Sequence, residues 1–401
     1  MTWDAVVVGA GPAGAATALR LAQAGAEVLL LDRARFPRDK PCSEYLSPGT
    51  THLLRRLGAG VLDAVAAAAH AELSGMKVVA PDGTAMCGRF TAGSPASSFA
   101  LPRATFDTVL VAAAARAGVE VREGLSVEDL VFERGRVAGV VGRSRTGPRE
   151  TYRSRVVVAA DGLRSVVARR LGLVRVSAPE RLAFSAHVSD VAGVDGVGEL
   201  HVSARGYVGL GPVGGGVTTV ALVLPLGLVR ASGQDYRRTF FAELERFPGL
   251  AGRFASRRLV REVLVTGPFA QWSRVAAVPG ALLVGDAADF FDPFTGQGIY
   301  AALRGAELVA ETLAPVLAQR AGPVPGAALR AYGRARRRTF RGKWLFERLI
   351  GLGVGWPALT NRVVRRLARR PALADLLVSA AGNIVPARRV FAPAVLARLL
   401  W

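Results

Sequence analysis

The sequence predicts an α/β fold: a parallel-sheet core interleaved with an antiparallel β-sheet region and followed by a helical tail. Three observations predict it. The chain opens with an apolar strand, a Gly-rich turn and a helix-forming stretch. Two later apolar runs, "RVVVAADG" and "GALLVGDAAD", each end in an Asp/Gly pair. Residues 181–270 break into short β-rich runs separated by Gly and Pro, which is the punctuation of strands and turns. With 401 residues, 51% of them apolar, the chain has enough material for two intertwined domains around a sizeable interior.

Asp4 to Val8 is followed by "GAGPAG", a helical stretch to Ala24 and a second apolar run ending at Asp32. This is a Rossmann-like strand–turn–helix–strand unit. Gly9 allows the tight bend, Gly11 lets a pyrophosphate approach the backbone, and Gly14 lets helix and strand pack closely. Asp32 lies eighteen residues beyond Gly14, where a carboxylate accepts hydrogen bonds from both hydroxyls of an adenosine ribose. A 2′-phosphate there meets negative charge, so the expected dinucleotide is FAD or NAD rather than NADP. The second strand ends in Asp161-Gly162 and the third in Gly285-Asp286. After the third, "DPFTGQG" breaks at Pro293, passes Gly296 and Gly298, and enters a helix near Gly298 and Ile299. Such a loop brings backbone N–H groups to a helix start, a place suited to an electron-rich group.

Together these motifs (GxGxxG, DG and GD) resemble the FAD-binding framework of the group A flavoprotein monooxygenases and the geranylgeranyl reductase family, from residue 1 to about 315. The resemblance implies tightly bound FAD, with NAD(P)H as a transient reductant. It implies that Asp286 hydrogen-bonds the ribityl chain. The loop through Gly296, Gly298 and Ile299 then lies beside the ring edge that gains negative charge on reduction, where a helix start stabilises it. By the same resemblance Ala13 lies in the pyrophosphate turn, and Arg103 is the polar residue that reaches FAD from before a helix. Val127 packs on adenine, and Asp161 and Gly162 serve FAD and NAD(P)H. The implied organisation is an FAD-binding domain of residues 1–74, 101–180 and 271–327. A substrate-binding sheet spans 75–100, as a hairpin, and 181–270, and a helical region covers 328–401.

The inward positions of that sheet are overwhelmingly apolar, so the expected partner is a hydrophobic small molecule. The segment "FPRDKPCSEYL" is similar to a PxxKxCGE/G segment of reductase-like members, with Ser43 and Glu44 standing where a glycine pair is expected. Cys42 is then either a shielded structural thiol or a group that contacts flavin and assists protonation. None of the histidines at 52, 70, 187 and 201 has a partner at a diagnostic spacing. His201 and Tyr207, on the predicted pocket sheet, join Cys42 as catalytic candidates. Two cysteines without CxxC spacing predict no metal site.

Three chemistries share this framework. The "GYVGLGPVGGG" strand and apolar tail favour a monooxygenase of secondary metabolism, using NAD(P)H and oxygen on an aromatic, polyketide or phenolic-lipid substrate. "DPFTGQGIYAAL" and the Cys42 loop point instead to a geranylgeranyl-reductase-like enzyme acting on isoprenoid double bonds. A halogenase needs a lysine across from the flavin and a WxWxIP segment; Lys77 is the candidate lysine, and the tryptophans are missing. A non-enzymatic electron-transfer flavoprotein is the remaining reading.

The net charge is +21, and residues 330–401 hold sixteen Lys or Arg against Glu347 and Asp375, so +14 lies in the tail. These arginines alternate with Trp344, Leu345, Phe346, Leu349 and Ile350. No nucleic-acid module accompanies them, so nucleic acid is not expected. The mixture fits a solvated helical face, a pocket cover, or peripheral contact with an anionic membrane. The start lacks a basic n-region and a cleavage site, and the low cysteine usage suits a reducing compartment. The expected location is therefore cytoplasmic, with peripheral membrane contact through the basic tail as the open alternative.

Overall fold

The computed structural model describes residues 2–91, 98–178, 180–231, 235–319 and 322–400. Parts of the expected segments at 1, 92–97, 179, 232–234, 320–321 and 401 lie outside the described residues. The fold is mixed α/β, as the sequence predicts, and its largest sheet has eight strands. The strands Ala281–Leu283, Arg149–Ala159, Thr2–Val8, Val28–Asp32 and Glu120–Glu123 lie side by side and parallel. The central ones, Thr2–Val8, Val28–Asp32 and the second half of Arg149–Ala159, are apolar and buried because both faces are covered there, the usual condition of parallel sheets. The helices Pro12–Gln23, Arg103–Arg116 and Gly298–Leu317 bury one face, with Leu19, Phe106, Leu110 and Leu313 at its centre. On the other face Leu29, Leu31 and Val157 pack against an antiparallel ribbon, Leu125–Glu133 and Arg136–Ser144, and against Val167.

A second sheet has seven strands. Its centre is antiparallel, through Arg258–Thr266, Arg181–Ser189, Val217–Pro225, Gly206–Gly214 and Gly198–Ser203. The expected hairpin completes it: Gly75–Val79 pairs antiparallel with Ala85–Arg89 and parallel with Gly198–Ser203. The outer face carries something the sequence reading did not anticipate. A helix, Tyr236–Leu244, capped by Asp235 accepting from the Arg238 N–H at 2.9 Å, buries Phe240 and Leu244 on it. The inner face looks across a cavity toward the first sheet. Among the described residues the tail consists of four α-helices, Gly326–Val354, Pro357–Ala368, Pro371–Ala381 and Pro393–Leu400, with a stretch of turns at 382–392.

Candidate functional site

The site starts at the first turn. Gly9 sits at φ +95°, and a Cβ there would lie 2.5 Å from the Ala160 carbonyl oxygen. At Gly14 a Cβ would lie 1.7 Å from the Gly9 oxygen, so neither position admits another residue. Gly11 precedes the helix Pro12–Gln23, whose start has no side-chain cap, leaving its first N–H groups free for an anion. Two guanidinium groups supply charge beside it, since a Cβ on Gly11 would be 3.6 Å from Arg38 and 3.9 Å from Arg103. The fully buried Asp107 holds both, accepting Arg103 twice at 2.7 Å and meeting Arg38 at 3.0 Å. Burial works against the Arg103 charge, yet the Asp107 carboxylate prevails and raises its pKa. Arg38 was not singled out from sequence, because its partner is 69 residues away.

Asp32 ends its strand buried, accepting the Ala10 N–H at 2.7 Å and the Ala34 N–H at 2.8 Å. It therefore also ties the Gly-rich turn to the second strand. Val127 lines the cavity from the antiparallel ribbon. Asp161 accepts the Val166 N–H at 2.7 Å through one oxygen, while the other is buried without a partner. Burial raises its pKa. Gly162, at φ +78°, passes beneath Lys40, whose Nζ would lie 3.8 Å from a Cβ there.

The Gly285-Asp286 turn packs on the first helix: a Cβ at Gly285 would be 2.9 Å from the Ala13 Cβ. Asp286 thus lines the cavity beside the pyrophosphate turn. Burial raises its pKa, and the charges of Lys40 and Arg103 oppose that rise. The next loop is fixed by its own side chains. Asp292 accepts the Phe294 N–H at 3.0 Å, the Tyr207 hydroxyl at 2.5 Å and Arg181 at 2.6 Å. Gly296, at φ +64°, packs on the Tyr45 ring. The helix Gly298–Leu317 then begins without a side-chain cap, and a Cβ at Gly298 would meet nothing within 4 Å. Ile299 follows, lining the same cavity.

These elements surround a cavity of about 750 Å³. Two uncapped helix starts and two guanidinium groups line it, which fits a dinucleotide joined to a ring that gains negative charge. The residues present fit FAD: the Gly9–Gly14 turn for the pyrophosphate, Asp32 for the ribose, Asp286 for the ribityl chain, and the start at Gly298 for the ring edge. Beyond the residues that would hold FAD the cavity is walled by the inner face of the seven-stranded sheet. It is closed by Arg336, Phe340, Lys343, Trp344 and Glu347 of the tail helix. Arg336 pairs with Asp289, which also accepts the Trp344 indole N–H, and Lys343 pairs with Glu347.

The catalytic candidates separate here. Cys42 lines the cavity, half-buried, its Sγ accepting the Glu44 N–H at 3.3 Å. Tyr207 lines it too, but its hydroxyl is committed to Asp292, and its ring meets Phe294 edge-on at 4.9 Å. It thereby ties the sheet to the loop that runs from Asp292 to Gly296. His201 is not among the lining residues. It shares the outer face with Val208, and its Nε2 meets Glu199 at 2.9 Å. Side chains alternate between the faces of a strand, so Leu200 takes the inner face instead.

A group missed from sequence stands behind Cys42. Glu44 is fully buried at φ +59°. It contacts His187 Nε2 at 2.5 Å and Arg261 at 3.2 Å, and accepts the Arg103 N–H at 3.1 Å. Arg261 donates to Ser185, and Ser185 to the Cys42 carbonyl. This network clamps the Cys42 loop to the antiparallel sheet. No metal-holding cluster occurs among the described residues.

Comparison with known proteins agrees with this geometry. The FAD binding domain family matches residues 2–342. Digeranylgeranylglycerophospholipid reductase 2 of Methanopyrus kandleri is 31% identical over 340 residues, covering 79% of this chain and 78% of its own. Menaquinone reductase of Mycolicibacterium smegmatis is 31% identical over 328 residues, 77% of this chain and 76% of its own. The crystal structure of a flavoprotein/dehydrogenase from Cytophaga hutchinsonii shares the fold, with a TM-score of 0.84 at 22% identity over 98% of this chain and 96% of that one. The chain belongs to the FAD binding domain family and is an FAD-dependent oxidoreductase.

Proposed function

We propose that the protein reduces isolated carbon–carbon double bonds in the isoprenoid chain of a lipid, with NAD(P)H as the source of electrons. The observation that carries this reading is the shape of the sheet wall. Gly198, Gly209, Gly211, Ala183 and Ala221 all line the cavity and share the inner face, making a strip of sheet almost without side chains. Leu73, Met76, Leu200, Val223 and Phe269 border it. A floor of that kind accepts a long, slender apolar chain, which gains about 0.8 kcal/mol for each CH₂ withdrawn from water.

FAD, when bound and reduced by NAD(P)H, would supply a hydride to one carbon of the double bond. The neighbouring carbon requires a proton, and the Cys42 thiol, on the cavity wall, is the group that holds one there. The Glu44 clamp orients it, while Phe340 and Trp344 help exclude water.

The named reductases among the relatives support reduction over the oxygen insertion that the sequence favoured. Halogenation loses its lysine, since Lys77 lies 3.7 Å from Glu199 and does not line the cavity. The test is anaerobic incubation of the reduced holoenzyme with a geranylgeranyl-chain lipid, followed by mass spectrometry. A product heavier by two hydrogens per double bond supports the reading. Unchanged lipid, together with an aromatic compound that gains one oxygen atom in air, overturns it.

A further inference from the structure

The helix Gly326–Val354 has two faces with different work. One closes the cavity through Phe340, Lys343, Trp344 and Glu347. The opposite one exposes Arg334, Arg337, Arg338 and Arg341 at helical spacing, one stripe of a 3.6-residue period. Leu345 and Leu349 stand in the same stripe at 50% and 48% exposure, and Trp356, just past the helix, is 63% exposed. We infer that this outward face is a docking surface for an anionic lipid bilayer, which seats the cavity's helical wall on the membrane.

Three points argue for it. A solvated helical face mixes signs, because like charges three and four residues apart repel. Here every charge in the stripe is an arginine, and among the described residues the ion pairs of this helix point inward, Arg336 to Asp289 and Lys343 to Glu347. Lipid phosphates relieve the repulsion that water leaves in place. Second, two leucines among the arginines and an exposed tryptophan just past the helix suit the boundary between headgroups and acyl chains, where an amphipathic helix lies flat. A phosphate backbone offers nothing for them to enter. Third, no helix among the described residues is long and apolar enough to cross a bilayer, so the contact is superficial. Only the helix thickness then separates the bilayer from the cavity. The inference goes beyond the reductase reading and does not depend on it.

The experiment is sedimentation of the full-length holoprotein with vesicles of phosphatidylcholine alone or mixed with phosphatidylglycerol, at low and physiological salt. Binding to the mixed vesicles and little to the neutral ones is expected. Leu345→Ser/Leu349→Ser/Trp356→Ser should weaken that binding about tenfold or more, by lost apolar burial. Arg338→Gln/Arg341→Gln should weaken it at low salt by lost charge. Both variants should retain FAD like the wild type, which shows that they fold. Wild-type protein that stays in the supernatant with mixed vesicles overturns the inference. So does a triple serine variant that binds normally and is displaced by duplex DNA, since the patch then answers to polyanions. Vesicle binding without lipid reduction leaves the inference standing and refutes the reductase reading alone.

Discussion

Replacing Glu44 by alanine is the sharpest test of the clamp behind Cys42. The carboxylate is fully buried and meets two cationic side chains, or one and a neutral ring, depending on the His187 proton. Its removal leaves Arg261 with Ser185 and with Asp39, which is half exposed and 3.3 Å away. Removing one partner of a buried pair costs about 3–5 kcal/mol, and that is the loss expected for Glu44→Ala. Glu44→Gln keeps an acceptor for the Arg103 N–H and for Arg261, and should lose only about 1–2 kcal/mol. Glu44→Gly adds a second discriminator. The position lies at φ +59°, where a Cβ costs roughly 1–2 kcal/mol, so glycine should be less damaging than alanine. The assay is urea unfolding at a fixed excess of FAD, because bound ligand adds its own stabilisation. An alanine variant within about 1 kcal/mol of wild type, or a glycine variant worse than alanine, refutes the reasoning.

Asp286→Ala should weaken FAD retention by about tenfold or more, the worth of a charge-assisted hydrogen bond, as measured by flavin content after dilution. Tyr207→Phe leaves Asp292 with Arg181 and the Phe294 N–H, so the expected loss is only about 0.5–1.5 kcal/mol, read as a lowered unfolding midpoint. Lys40 gives a pH dependence. Burial, then Arg38 and Arg103, pull its folded-state pKa below the ordinary 10.5. The unfolded chain therefore binds that proton more readily, and apoprotein stability should rise with pH through the alkaline window below 10.5. Lys40→Met should flatten that rise in unfolding midpoints taken across the window.

The cofactor side of the site was legible because its requirements are local. Gly9 and Gly14 are demanded by contacts within one turn, Asp32 by the end of one strand, and the Gly298 start by the loop that feeds it. The hairpin Gly75–Val79/Ala85–Arg89 was legible for the same reason. What escaped depends on distance along the chain. Glu44 and His187 are 143 residues apart, and nothing in either neighbourhood marks the other. His201 went to the wrong face because Gly198–Ser203 is buried on both: the cover of Phe240 and Leu244 outside removes the polar alternation that would have told Leu200 from His201. That cover was missed because its helix is only nine residues long, too short for periodicity to stand out.

The wall of the cavity also has a place in time. Proteins are made from the N-terminus, and early segments begin to fold while later ones are still unmade. A nascent chain that has reached Leu317 already carries the pyrophosphate turn, the Asp161-Gly162 and Gly285-Asp286 turns and the helix start at Gly298. It lacks Phe340, Trp344 and Glu347, and it lacks the Gly382 carbonyl that later accepts the Gly49 N–H at 2.9 Å. Until the tail is made and docks, the cavity lacks that wall, so the site is completed only by the last part of the chain to be synthesised.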